Sequence, residues 1–197
     1  MKNTTLVLGS SSVFRQAQLK TLGLPFVSAK PHCDETPLDQ EAAPDTARRL
    51  AVSKARSLVA SHPRSLIIGA DQVAFVGQTQ LGKPMSADKA FAMLQHTSGK
   101  VLTFYSALCL LNTETHTLQN HVDITVVHMR TLSDATIKAY LAKEPDAIYC
   151  AGGAKSEGLG AALIQSIHSD DPNALIGLPI FTLIDFLANE GIHPLCA

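Results

Sequence analysis

The sequence lacks an excess of charge of either sign. Its 16 Lys and Arg stand against 17 Asp and Glu, a formal net charge of −1 at pH 7 with histidine neutral. That excludes a broad phosphate-backbone surface, which draws on global basicity. A small anionic ligand is not excluded, because it needs only a local cluster. Paired cysteines are missing too: Cys33, Cys109, Cys150 and Cys196 show no C-x-x-C spacing, which argues against a zinc knuckle or a thioredoxin-type motif. Cys109 lies in the apolar run Ala107-Leu108-Cys109-Leu110-Leu111 and reads as a buried reduced thiol, so the cysteines fit a reducing compartment. No apolar run approaches the ~20 residues of a membrane span; the longest, Ala174 to Ile184, is interrupted by Gly, Pro and Thr. The apolar run in Met1 to Leu8 is too short for a signal peptide. The expectation is a soluble cytoplasmic protein with neither a membrane nor a nucleic-acid partner. The patterns H-E-x-x-H and G-x-S-x-G and an ordered Ser-His-Asp set are also absent, which argues against a nucleophilic hydrolase.

What is present is a globular composition, 46% hydrophobic and 17% charged over 197 residues. Such a chain buries roughly 70% of its unfolded surface without disulfide or metal staples. Its length fits one domain over residues 1–197, with two small lobes as the other arrangement. Strand signals cover Thr5 to Gly9, Pro25 to Ala29, Leu66 to Ala70 continued by Val73 to Val76, Lys100 to Leu111 and Leu118 to Met129. Helix signals cover Val13 to Leu22, Thr46 to Ser61, Ser86 to His96, Ser133 to Leu141 and Pro179 to Glu190. Pro31 to Asp45, with Pro31, Pro37 and Pro44, reads as a polar loop, and Gly152 to Gly160 as a Gly-rich one. The expected fold is mixed α/β with three-layer packing around a sheet.

Several segments could carry chemistry. Gly9-Ser10-Ser11-Ser12-Val13-Phe14-Arg15 takes a strand through a small-residue turn into a helix. Its free N–H groups and hydroxyls suit an anion, and Arg15 could clamp a phosphate oxygen; equally, Ser12 could be only a helix cap. Asp71-Gln72 ends an apolar strand, where a carboxylate can bind Mg²⁺ or orient a water, or merely cap a turn. Gly77-x-x-x-x-Gly82-Lys83-Pro84 approaches a P-loop, but proline supplies neither hydroxyl nor N–H, and the segment reads as a hairpin. Lys83 remains a phosphate lysine or an exposed turn lysine. The Gly152 to Gly160 loop does not support a dinucleotide site, though an acidic residue between glycines suits a ligand-facing loop. Asp34-Glu35 and Lys54 could form a buried pair, or a metal-binding Glu beside a phosphate lysine.

Taken in order, these segments resemble the Maf family of nucleoside triphosphate pyrophosphatases. The family start Ser-x-Ser-Pro-x-Arg-Arg appears as Ser10-Ser11-Ser12-Val13-Phe14-Arg15-Gln16. Asp34-Glu35, Lys54 in Ala51-Val52-Ser53-Lys54-Ala55, Gly69-Ala70-Asp71-Gln72, Gly82-Lys83-Pro84 and Gly177-Leu178-Pro179 follow. Phe14, Lys155-Ser156-Glu157-Gly158 and the run Asp171 to Pro179 look like the branch acting on 7-methyl-GTP, whereas dTTP/UTP members carry Gln-Gly in the late loop. A carboxylate can accept both guanine donors, N1–H and the 2-amino group, and an aromatic face favours the cationic methylated base. Val13 and Gln16 replace the family's Pro and second Arg, and Phe14 stands where this branch often has Trp.

The resemblance implies an elongated mixed β-sheet flanked by helices, two lobes around a deep cleft, often dimeric. It implies hydrolysis between the α and β phosphates, with Asp71 as proton acceptor. Glu35 and Asp71 would hold a divalent cation, Mg²⁺ or Mn²⁺. Ser10, Arg15, Lys54 and Lys83 would hold phosphate, and Phe14, Gln72 and Glu157 would set specificity. A dTTP/UTP pyrophosphatase and a non-catalytic nucleotide-binding regulator of cell division are the alternative readings.

Overall fold

The structure is a computed structural model describing residues 4–36 and 38–196. Pro37 of the proline loop, the first three residues of the segment read for a signal peptide, and residue 197 lie outside the described residues. The fold is α/β, with an open mixed sheet of seven strands and five α-helices among the described residues.

Strand β1 (Thr5–Gly9) buries Leu6, Val7 and Leu8 and lies parallel to β2 (Val27–Ala29) and β3 (Ser65–Val76). Burial on both faces is why β1 and the first half of β3 read as unbroken apolar runs, whereas β2 is exposed to half-buried and holds its place by pairing with β1. Helix α1 (Val13–Lys20) starts where the Ser12 hydroxyl accepts the Arg15 N–H. Helix α2 (Ala43–Arg56) begins three residues before the expected start, because Pro44 fits the first turn and needs no N–H donor there. After Arg56 the chain continues to Ser61 in tight turns, such as Leu58 N–H to Ala55 O.

The two strand signals around Asp71 fuse into the twelve-residue β3, because Asp71 and Gln72 stay extended. Gly77, at φ 57°, then turns the chain back into β4 (Thr79–Leu81), antiparallel to β3. Helix α3 (Ala87–Thr97) is capped by Ser86. Strands β5 (Val101–Asn112) and β6 (Leu118–Met129) are neighbours. Their ends pair crosswise, Asn112 N–H to Thr117 O and Met129 N–H to Lys100 O, so they run antiparallel as expected. Helix α4 (Asp134–Lys143) is capped by Ser133.

Strand β7 (Ile164–His168) is an addition to the sequence reading; it pairs antiparallel with β6 across a bulge at His128/Met129. Helix α5 (Ile180–Asn189) has Pro179 at its N-cap. The sheet order is β2-β1-β3-β5-β6-β7, with β4 on β3. The chain divides into two compact units, Met1–Gln72 with Tyr105–Asp123 and Asp171–Ala197, and Val73–Phe104 with Ile124–Asp170. In the first, Leu6 and Leu8 of β1, Leu66 and Ile68 of β3, Leu108 and Leu110 of β5, and Leu183 and Leu187 of α5 form one apolar core. Burying each such side chain contributes about 1.5–3 kcal/mol.

Candidate functional site

The first unit gathers a charged cluster at Asp71 on β3. Gly69, two residues earlier, lets α2 lie directly on the strand: a Cβ there would run into the Ala51 carbonyl and meet the Ala55 methyl at 3.0 Å. That close approach delivers Lys54 from α2, whose Nζ lies 2.5 Å from Asp71 Oδ1 and 2.9 Å from Glu35 Oε2. Asp71 and Lys54 are buried, while the Glu35 carboxylate is largely exposed. Burial raises the Asp71 carboxyl above the usual carboxylate range, against the opposing pull of Lys54 and Arg15. Burial alone would lower the Lys54 ammonium, but Asp71 and Glu35 outweigh it and hold it above its usual value. A buried carboxylate that has become more basic is suited to accept a proton from water.

Arg15 reaches the same corner from α1. Its Nε donates to Gly177 O at 2.9 Å and its Nη1 to Ala70 O at 3.0 Å, tying the middle of β3 to the loop before α5. Two donors of the guanidinium are therefore committed to backbone, and Nη2 has no partner among the described residues. Ser10 is buried; its hydroxyl accepts the Ser12 N–H at 3.1 Å, so it stiffens the turn before α1. Phe14 sits half-buried in the first turn of α1.

Gln72 is held from one side. Its amide nitrogen lies 2.9 Å from Ser106 Oγ, 3.1 Å from Ala174 O and 3.0 Å from Leu175 O. Gln18, which the sequence reading passed over as a helix position, completes this clamp: its amide nitrogen donates to Asn173 O at 2.8 Å and Leu178 O at 3.3 Å. The signal that could have found it is a glutamine on the apolar face of α1. Its Oε1 is buried with no hydrogen-bond partner among the described residues. Ser106 Oγ donates to Ala174 O at 2.7 Å. Asp171 orders the same loop through the Asn173 and Phe181 amides.

The second unit carries Lys83 and Glu157. Lys83 is exposed after β4. Glu157 is exposed on a tight turn and takes a 3.4 Å bond from the Ser156 hydroxyl. Short 3₁₀ turns, Ala151–Gly153 and Leu159–Leu163, flank the Gly-rich stretch, and residues 154–158 between them form the expected loop, closed into a tight turn. Lys155 pairs with Glu144 at 2.8 Å, and its N–H donates to the Tyr140 hydroxyl at 2.9 Å. Burial pushes the Tyr140 hydroxyl up to about 12, and the Lys155 ammonium holds the Glu144 carboxyl below its usual range.

Ser10, Phe14, Arg15, Glu35, Lys54, Asp71 and Gln72 thus share one unit, and Lys83 and Glu157 the other. The described residues contain no group of three or more His, Cys, Asp or Glu side chains able to hold a metal alone. The donor set still fits a hard cation. Asp71 Oδ2 and Glu35 Oε1 have no hydrogen-bond partner among the described residues. Mg²⁺ commonly needs only one or two carboxylates when substrate phosphates and water complete its shell.

A family profile described as "Maf-like protein" matches residues 5–190. A protein of Neisseria gonorrhoeae named 7-methyl-GTP pyrophosphatase is 57% identical over 190 residues, covering 96% of this chain and 97% of its own. Proteins of the same name from Chromobacterium violaceum and Vibrio cholerae are 53% and 48% identical; the matches cover 96% and 98% of this chain, and 98% and 99% of theirs.

Proposed function

The chain belongs to the Maf family, and on that premise we propose that it hydrolyses 7-methyl-GTP to 7-methyl-GMP and pyrophosphate. The observation that carries the reading is the buried Asp71 carboxylate, made more basic by burial and held by Lys54 beside Glu35. In this reading Asp71 accepts a proton from the water whose oxygen bonds to the α-phosphorus, and the bond from that phosphorus to the bridging oxygen of the β-phosphate breaks. Lys54, Arg15, Ser10 and Lys83 bind phosphate oxygens and stabilise the charge that develops on them. A divalent cation, Mg²⁺ or Mn²⁺, held by Glu35 and Asp71 would neutralise the departing pyrophosphate. Glu157 accepts the two guanine donors, Phe14 stacks on the cationic base, and Gln72 shapes the same specificity.

The chain acts in this reading as a single domain over residues 1–197, a cytoplasmic homodimer without nucleic-acid or membrane partners. No helix among the described residues is long and apolar enough to cross a membrane. Pyrophosphate release from 7-methyl-GTP with Mg²⁺ tests the activity. Asp71→Asn should lower kcat by about 10³-fold with an unchanged circular dichroism spectrum. Release at the wild-type rate would remove Asp71 from the proton-acceptor role, and no release by the wild type would overturn the assignment.

A further inference from the structure

Glu157 is exposed, and its one hydrogen bond among the described residues is a long one from its own neighbour. Where its carboxylate stands therefore depends on the turn that carries it. That turn is anchored at both ends by Glu144, which follows α4 and has a side chain only 14% exposed. Glu144 Oε1 takes Lys155 Nζ at 2.8 Å, before Glu157, and Oε2 takes the Leu159 N–H at 3.1 Å, after it. The Tyr140 hydroxyl, one helical turn earlier on α4, receives the Lys155 N–H at 2.9 Å. The turn is closed internally by Gly158 N–H to Lys155 O at 3.0 Å.

The glycines fit this device. A Cβ on Gly158 would lie 2.5 Å from Glu144 Oε2, and one on Gly160 would strike the Lys155 backbone. At Gly160 the neighbour is backbone and cannot yield, so the turn closes only without a Cβ there; at Gly158 a Cβ would displace the end of the Glu144 side chain. A binding group holds its geometry when the residues behind it are locked by packing and hydrogen bonds.

We propose that Glu144 is a positioning residue for nucleobase selectivity, fixing the Lys155–Leu159 turn from beneath so that Glu157 meets the base edge in one orientation. The proposal rests on the reading that Glu157 recognises the base.

The test is steady-state kinetics with Mg²⁺ on 7-methyl-GTP and UTP. It uses the whole protein as wild type, Glu144→Gln, Glu157→Gln and the double variant. Glu144→Gln should lower kcat/KM for 7-methyl-GTP about tenfold through KM, with UTP changed less than about twofold. The double variant should discriminate no worse than Glu157→Gln alone, because the two residues act as one unit. Tyr140→Phe, which removes a single anchor, should shift selectivity in the same direction by less and serves if Glu144→Gln does not fold. An equal fall in kcat on both nucleotides, or independent losses that multiply in the double variant, would overturn the positioning role. If Glu157→Gln changes selectivity and Glu144→Gln does not, the positioning proposal alone fails. If Glu157→Gln leaves selectivity unchanged, the base-edge reading fails and takes this proposal with it.

Discussion

Arg15 holds two backbone carbonyls in the structure and binds phosphate in the proposed function. Its fork spans Ala70 O and Gly177 O, and Gly177 accommodates it with φ 122° and no Cβ, which would stand 3.2 Å from Arg15 Nε. A lysine carries the charge but not the rigid fork, so its single ammonium nitrogen cannot reproduce the two separate bonds to Ala70 O and Gly177 O. Arg15→Lys is expected to cost about 2 kcal/mol of stability, read from the urea midpoint, as well as activity. Lost activity at unchanged stability would mean that the backbone bonds contribute little and that phosphate binding is the residue's main role.

Helix α2 and strand β3 form the element pair on which the charged cluster depends. Their separation is set at Gly69, where α2 packs against bare backbone. Gly69→Ala would push α2 outward and cost about 3 kcal/mol, visible as a lowered melting temperature. It should also draw Lys54 away from Asp71, so pyrophosphate release should fall even below the melting range. The strands and caps of such elements were largely legible in the sequence, because apolar runs and Ser12, Ser86 and Ser133 are local signals. Strand β7 was not: its five residues carry a burial pattern with one buried position, and it is a strand only by pairing with β6.

Across the whole molecule, a net charge of −1 conceals opposed local fields. Lys54 stands between two carboxylates in one unit, and the Lys155–Glu144 pair holds the turn of Glu157 in the other. The apolar core of the first unit is built from leucine and isoleucine side chains, with no metal staple among the described residues. Chelation by EDTA should therefore abolish turnover while leaving circular dichroism and melting temperature unchanged, and added Mg²⁺ should restore the rate. Unfolding on chelation would make the cation structural instead.

The order of the elements, the capping serines and the approach of a strand to Asp71 follow from sequence-local preferences, which residue spacing alone expresses. The partners of the polar side chains do not. Arg15 is bound to a carbonyl 162 positions away, Gln72 to carbonyls 102 and 103 positions away, and Gln18 to carbonyls 155 and 160 positions away. Hydrogen bonds of this reach depend on how the chain folds back on itself. A spacing rule could nominate Arg15 and Gln72 for a ligand, but only the folded chain shows their donors engaged by the loop before α5, and Glu144 beneath the turn of Glu157.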